Sequence, residues 1–400
     1  MNKKKEIVPK FRFPEFQRDG IDFVHGNKLF KSITNKNHNS DLPILAITQD
    51  QGAVPRDQIE YNVTVTDKSL SNYKVVEVGD FIISLRSFQG GIEYSRFKGI
   101  CSPAYIILRK REENISELYY KYFFKTWRYI QSLNRNLEGI RDGKMISYSQ
   151  FSSVKVPYPR SFKEQQKIAD CLSSIDELID AENRKLKALE KYKKGLMQKL
   201  FPAEGKTLPE WRFPEFRGKS EWRIKPLGKI CTNYDSRRIP ITEKDRVKGE
   251  IPYIGASGVI DYINDFIFDE DLLCVSEDGA NLVARTYPIA FSISGKTWVN
   301  NHAHVLKFSH KYTQDIVESY LNMINLQDFL TGMAQPKLNR AKLDIIPIPL
   351  PEEEEQQKIA NCLYEVDKII TEQSNKVEQL KAHKKGLMQG LFPSLEEADV

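Results

Sequence analysis

A 39-residue stretch occurs twice in this chain, and it constrains the fold more than any other feature. Residues 164–202 read EQQKIADCLSSIDELIDAENRKLKALEKYKKGLMQKLFP. Residues 355–393 read EQQKIANCLYEVDKIITEQSNKVEQLKAHKKGLMQGLFP; the two align without a gap, with 21 of 39 positions identical. An internal repeat sets the architecture before any local reading does. Apolar positions recur in each copy at spacings that alternate between four and three. The first copy presents Ile168, Leu172, Ile175, Ile179, Leu186, Leu189, Leu196 and Leu200. The second presents Ile359, Leu363, Val366, Ile370, Val377, Leu380, Leu387 and Leu391. This is the period of a coiled-coil seam, and a helix of this length spans about 55 Å. Both copies break the seam at the same two places, Glu182 and Gln373, then Lys193 and Lys384. Such residues either open the seam to water or set register and pairing at a cost in stability.

A shorter repeat frames the longer one. FRFPEF at 11–16 recurs as WRFPEF at 211–216, each with a proline two residues upstream, Pro9 and Pro209. In mid-chain the order is LFP (200–202), a short linker, then PEWRFPEF; the chain ends carry LFP (391–393) and PKFRFPEF (9–16). The sequence is therefore two copies of one unit, with its ends falling inside one of two equivalent linkers. That predicts a pseudo-two-fold, cyclic arrangement with termini close together. The expected segments are an N-terminal piece (1–20), a first globular body (21–160), a first spacer helix (161–202) and a linker with the repeated RFPEF (203–220). A second body (221–350), a second spacer helix (351–393) and a tail (394–400) complete the chain.

The bodies show short apolar runs between turn signals: Leu42–Thr48, Asp80–Leu85 and Ala104–Leu108, then Ile251–Ile254, Leu272–Ser276 and Ala303–Phe308. Amphipathic helical pieces follow at 115–133 and 312–330. The expected fold class is α+β, two mixed α/β bodies separated by two long antiparallel coiled-coil helices. Antiparallel pairing follows from connectivity. A body of about 135 residues has a radius of gyration of roughly 14 Å, too small to bridge the ends of parallel helices of this length. Ser161 and Glu164 have capping-box spacing, and Glu352–Glu355 suit the positive end of a helix dipole; this acidic run reads as a solvated helix start. Pro202 and Pro393 end the helices. The bodies share their frames and differ in filling: Asp80-Phe-Ile-Ile parallels Asp271-Leu-Leu-Cys, and Val156-Pro-Tyr-Pro parallels Ile348-Pro-Leu-Pro.

Composition narrows the function classes. No run of 18 apolar residues occurs, and the basic start MNKKKEIVPK lacks an apolar stretch after it, so neither a membrane span nor a signal peptide is expected. The five cysteines form no CxxC pair, which suits reduced thiols in the cytoplasm. A net charge of +6 permits nucleic-acid binding. Gly295-Lys-Thr297 resembles the end of a phosphate-binding loop, but Ala290 stands where its first glycine is required. No GxGxxG and no Asn/Asp-Pro-Pro-aromatic tetrapeptide appear. His302 and His304 could share one strand face as metal ligands, yet no third ligand is evident. No metal site and no catalytic residues are expected.

The two EQQKIA…KKGLMQ…LFP helices, the two RFPEF segments and the PIPLPEEEEQQKIA junction (347–360) resemble the specificity subunit of Type I restriction–modification systems. IPYIGASGVIDYIN (251–264) followed by SGKTWVNNHAHVL (294–306) adds to the likeness, which covers almost the whole chain. The resemblance implies a non-catalytic subunit whose bodies are target-recognition domains, each reading half of a bipartite site in double-stranded DNA. It implies that the helices set the gap and dock two modification subunits. Those subunits methylate an adenine in each half-site with S-adenosylmethionine, and restriction subunits add translocation and cleavage with ATP and Mg2+. No cofactor is expected in this chain. At 3.4 Å per base pair, 55 Å caps the separation at roughly 16 base pairs.

Base readout falls to Arg, Asn, Gln and similar groups in polar loops, with Lys and Arg on phosphates. In the first body the candidates are Arg86, Ser87, Gln89, Arg96, Lys98, Arg141 and Lys144. In the second they are Ser257, Asn281, Lys296, Asn300, Asn301, His302, Gln335, Lys337 and Arg340. Two other readings stand beside this one. A protein-binding coiled-coil scaffold would explain the helices but not the divergent bodies. A free-standing DNA methyltransferase or nuclease would need the motifs that are missing.

Overall fold

The computed structural model describes residues 8–39, 41–59, 70–135, 146–332 and 335–393. Arg141 and Lys144 lie outside the described residues. Both repeats form single uninterrupted helices of 39 residues, Phe162–Leu200 and Glu353–Leu391. The chain divides into two compact units, and each helix is shared between them. The first unit comprises residues 1–182 and 376–400, the second residues 183–375. The sequence led us to expect the helices as segments separate from the bodies. Instead, the core of each unit joins one body to the start of one helix and the end of the other.

In the first unit Ile168, Leu172, Leu391 and Phe392 bury themselves against Tyr119, Tyr120, Phe123 and Phe124. Leu387 and Met388 pack on the same core. In the second unit Met197, Leu200 and Phe201 share a core with Ile359, Leu363, Ile316, Val317 and Leu321. Pairing a helix start with a helix end makes the contact antiparallel in both units. Of the other seam residues, Ile179 and Val377 are buried, while Ile175, Leu186, Leu189, Leu196, Val366, Ile370 and Leu380 are half-buried.

The polar seam positions find partners. Lys384 reaches Asp176 at 2.5 Å in the first unit, and its repeat equivalent Lys193 reaches Asp367 at 2.5 Å in the second. Glu182 is held by Lys376 at 2.5 Å, and Gln373 is buried. Of the two readings of these positions, cross-helix pairing fits: a one-turn slip would separate both lysines from their aspartates.

A two-stranded ribbon carries each body on its helices. Ile21–His25 pairs antiparallel with Lys155–Pro159, and Arg223–Pro226 pairs antiparallel with Pro347–Leu350. Beyond the ribbon, the first body holds a four-stranded sheet in the order Phe30–Ile33, Ile106–Lys110, Phe81–Ile83, Glu93–Tyr94. The second holds the order Thr232–Asn233, Ala303–Lys307, Leu272–Ser276, Ala290–Ile293, plus another four-stranded sheet containing Lys248–Gly255 and Gly258–Ile263. The expected helix at 115–133 is broken into Glu117–Phe123 and Trp127–Arg135. The piece expected at 312–330 is a helix over Lys311–Met323 and a short 3-10 turn, Gln327–Phe329.

The RFPEF segments tie the frame together. Arg12 donates to both oxygens of Glu164, at 2.7 and 2.9 Å, and Arg212 donates to both oxygens of Glu355, at 2.8 and 2.6 Å. Glu164 is therefore committed to Arg12 rather than to a capping box. The preceding residue in each copy bonds the other helix. The Phe11 amide donates to the Gly390 carbonyl at 2.8 Å, and the Trp211 amide to the Lys199 carbonyl at 2.9 Å. The described chain ends thus lie in one unit. The acidic run of the second helix is also partnered, since Glu352, Glu353 and Glu354 meet Arg223, Tyr312 and Lys219.

Arg12→Ala would strand a fully buried carboxylate, Glu164, and Arg212→Ala would strand Glu355. Each substitution is expected to cost about 3–5 kcal/mol in denaturant unfolding of its unit. A loss below about 1 kcal/mol would show that the arginine fork does not hold the frame.

Candidate nucleic-acid interface

In the first body two loops meet beyond the sheet. The hairpin Leu45–Thr48 and Gly52–Pro55 turns through Gln49, Asp50 and Gln51, all exposed. Gly52 has φ 77°, and a Cβ there would sit 2.5 Å from the Tyr94 carbonyl, so the turn requires glycine. Strand Phe81–Ile83 leads into the helical turn Ser87–Gly90. Ser87 is buried and its hydroxyl accepts from the Ser84 amide at 2.9 Å, so it shapes the turn. Arg86 and Gln89 are exposed beside the Gln49–Gln51 turn, and the Gln49 amide reaches the Arg86 carbonyl at 3.5 Å.

Arg96 and Lys98 sit at the opposite end of the same strand. The loop that carries them is fixed by the Ser95 amide donating to the Asp80 carbonyl at 2.9 Å, and Lys98 pairs with Glu77 at 3.0 Å. The first-body candidates therefore separate into a cluster of Arg86 and Gln89 and a pair carried on another loop, whose Ser95 bridges Ala53 of the hairpin.

Under the cluster, the Lys125 ammonium contacts three acceptors: the Gln49 carbonyl at 3.0 Å, the Gly90 carbonyl at 2.9 Å and Glu93 at 2.5 Å. Burial pushes the Glu93 carboxyl up to about 7, against the pull of Lys125, with the Asp50 charge adding to the rise. A raised acid binds its proton more tightly folded than unfolded. Its stabilising contribution is therefore complete below the ordinary value of 4.5 and is lost as pH rises through about 7.

In the second body, three loops are laced by backbone bonds at the end of strand Leu272–Ser276. The Glu277 amide donates to the His302 carbonyl at 2.9 Å, the Gly279 amide to the Pro336 carbonyl at 3.1 Å, and the Leu338 amide to the Glu277 carbonyl at 2.8 Å. The turn of the hairpin Lys248–Gly255 and Gly258–Ile263 joins them, because the Ser276 hydroxyl donates to the Ala256 carbonyl at 2.5 Å. Ser257, Asn301, His302, Gln335 and Lys337 are thus brought together as exposed groups. Lys337 pairs with Glu277 at 3.1 Å and His302 with Asp278 at 2.8 Å. Asn300 is buried and its side-chain oxygen accepts from the His302 amide at 2.8 Å. Asn281 closes its own loop on the Tyr287 backbone. Lys296 lies over the Phe266 ring at the far end of strand Lys296–Val299, and Arg340 sits 3.6 Å from Asp344 in the helical turn Arg340–Asp344. Asn281 and Arg340 thus spend their side chains on their own segments, and Lys296 on the far end of its strand.

His304 points inward. It lies 2.6 Å from Asp235 and 2.7 Å from the Leu338 carbonyl, so both ring nitrogens are engaged. Burial raises the Asp235 carboxyl, but His304, the Val305 amide and Arg238 outweigh it and hold it below its ordinary range. Arg238 bonds Glu277 at 2.7 Å and the Ala303 carbonyl at 2.8 Å.

Sequence reading missed the Gln49–Gln51 turn, the buried Glu93 and the half-buried groups Lys125, Asp235, Arg238 and Glu277. The turn carried a signal of its own, because the apolar run 42–47 and Ala53-Val54 are separated by the short polar, glycine-containing stretch Thr48-Gln49-Asp50-Gln51-Gly52. The exposed loops present amide, guanidinium, imidazole and hydroxyl groups. These are the types that read base edges: Arg on guanine and Asn or Gln on adenine. Among the described residues no group of three or more His, Cys, Asp or Glu side chains could hold a metal ion, and no helix is long and apolar enough to cross a membrane.

As a check on the Lys125 site, Glu93→Gln removes the titration. Relative to this variant, the wild-type melting temperature is expected to fall as pH is raised from 4.5 towards 7. A pH-independent difference between the two would refute the buried, proton-binding carboxyl.

Comparison with known proteins converges on one family. The model for the Type I restriction modification DNA specificity domain matches residues 19–191 and 219–381. A provisionally named type I restriction enzyme specificity subunit of Haemophilus influenzae is 35% identical over 144 residues, 36% of this chain and 37% of that protein. The type I restriction enzyme MjaVIII specificity subunit of Methanocaldococcus jannaschii is 25% identical over 355 residues, 82% of this chain and 80% of its own. The crystal structure of the S subunit of a Type I restriction–modification system from M. genitalium shares the fold at a TM-score of 0.59. That match has 15% identity and covers 97% of this chain and all of that one.

Proposed function

Because the chain belongs to the Type I restriction–modification DNA specificity family, as a non-catalytic specificity subunit with two such domains, we propose that each domain reads one half of a bipartite, gapped site in double-stranded DNA. The observation that carries this reading is a repeated frame with unequal loops. Helix starts, arginine forks, cross-helix lysines and ribbons recur at equivalent positions in both units. The loops beyond each ribbon do not recur. The first domain offers Gln49, Gln51, Arg86 and Gln89, and the second Ser257, Asn301, His302 and Gln335. Equal supports with different side chains at the tip suit two readers of two different half-sequences.

In this reading the paired helices set the gap and dock two modification subunits. Those partners methylate an adenine in each half-site with S-adenosylmethionine, and restriction subunits use ATP and Mg2+ to translocate and cleave. The protein then works in the cytoplasm, alongside the DNA. The alternative of a scaffold that binds only protein leaves the two unlike loop sets without a purpose.

The test is the methylome of cells that express this chain with its cognate modification subunits. One asymmetric, gapped motif with a methylated adenine in each half is expected; a continuous motif would overturn the reading. The role of the helices has its own test. Deleting one heptad from both copies, residues 186–192 and 377–383, is expected to change the gap or abolish methylation while leaving both half-sequences intact. Altered half-sequences would mean that the helices do not set the gap.

A further inference from the structure

We propose that Lys125 is the positioning residue for recognition of the first half-site: its ammonium locks the Gln49–Gln51 turn against the Ser87–Gly90 helical turn, with Glu93 holding it in place. This rests on the reading of the first domain as a DNA reader. An ammonium has three hydrogens, and here three acceptors from three segments surround it. Two of them are backbone carbonyls, one in each exposed loop. Lys125 itself is anchored just past the helix Glu117–Phe123, where its amide donates to the Tyr122 carbonyl at 3.1 Å. The Gln49 side chain also packs where a Cβ on Gly90 would lie, 2.8 Å away, so the loops are in close contact and a small shift of either displaces the other.

The cost of the arrangement argues that geometry is its purpose. Other buried carboxylates in this unit satisfy both oxygens on an arginine fork: Asp80 with Arg109 at 2.7 and 2.7 Å, and Glu164 with Arg12. Glu93 has only 2% of its surface exposed, and its second oxygen is buried with no hydrogen-bond partner. A half-satisfied carboxylate is a poor way to gain stability. A lysine in place of an arginine nevertheless lets one compact cation point three ways, which a planar guanidinium does not. With its hydrogens so used, Lys125 has none left for a DNA phosphate. It acts on the bases through Arg86, Gln89 and the Gln49–Gln51 turn.

The test uses the assembled complex with its modification subunits. Methylation rates are measured on duplexes that vary one position at a time in either half-site, over a range of salt. Lys125→Met is expected to lower discrimination between cognate and mismatched first half-sites by about tenfold, the value of one good bidentate base contact. Discrimination in the second half-site and the slope of affinity against salt should stay as in the wild type. Glu93→Gln, which keeps the ammonium on both carbonyls, should retain first-half discrimination. If Lys125→Met does not assemble, Glu93→Gln/Lys125→Met removes the buried charge and the lock together, and the same loss is expected of it. Unchanged first-half discrimination would overturn the proposal. So would a uniform loss on all sequences with a shallower salt slope, which marks a phosphate contact. Failure of both variants to assemble would make the pair a folding element and overturn it too. Failure of the underlying reading looks different, because the wild-type complex would then not recognise a gapped site.

Discussion

A buried arginine–carboxylate fork holds each of the two repeated helix junctions, one in each unit. Arg12 and Arg212 reach the first turn of one long helix, while the residues just before them, Phe11 and Trp211, bond the last turn of the other through the backbone. A bidentate fork fixes both distance and orientation, and burial makes it intolerant of loss. Each RFPEF segment is therefore a clasp across an antiparallel helix pair. The clasp explains why the sequence repeat is cyclic. The first clasp comes from the start of the chain and the second from its middle, yet each closes the same junction, so the repeat survives the placement of the termini.

The helices between the clasps are specified by charge as much as by apolar periodicity. Leucine and isoleucine seams tolerate shifts by a heptad, since each apolar knob finds another hole. Lys193 with Asp367, and Lys384 with Asp176, remove that freedom, because each lysine has one carboxylate within reach. Exposed pairs of this kind contribute little to stability, about 0–1 kcal/mol. Their use lies in register. The frame thus combines a costly, buried fork that fixes the ends with inexpensive, half-exposed pairs that fix the sliding coordinate.

The frame was legible in the sequence because it is periodic and duplicated. Helix extent and antiparallel sense follow from pattern, whereas the ribbons that pair VPYP and PIPLP with distant strands, and the cores shared between body and helices, come from contacts between segments far apart in sequence. Glu164 shows where pattern misleads: its capping-box spacing is real, yet a fork from 152 residues away claims the side chain. The loops were harder for the same reason. Arg86, Ser87 and Gln89 are neighbours in sequence, but the turn that exposes Arg86 and Gln89 buries Ser87. Arg96 and Lys98 look continuous with them and end up at the other end of a three-residue strand. Lys125 carries no local signal, since its three partners lie 32 to 76 residues away in sequence and meet it only in the fold.

The two domains solve one problem with different chemistry. Loops that read DNA must be exposed and polar, so they cannot be held by a hydrophobic core of their own. The first domain ties its loops from below with one ammonium on two carbonyls. The second laces its loops with backbone bonds and backs them with His304, Asp235, Arg238 and Glu277. The acids respond to pH in opposite senses. Glu93 is raised by burial and favours the folded state in acid, whereas Asp235 is held low by His304, the Val305 amide and Arg238, so its contribution is present above its ordinary value of 3.8 and lost as the carboxyl protonates below it. A frame shared by both units, with a separate lock under each loop set, allows one set of loops to change without disturbing the other, because no residue of either lock belongs to the repeat.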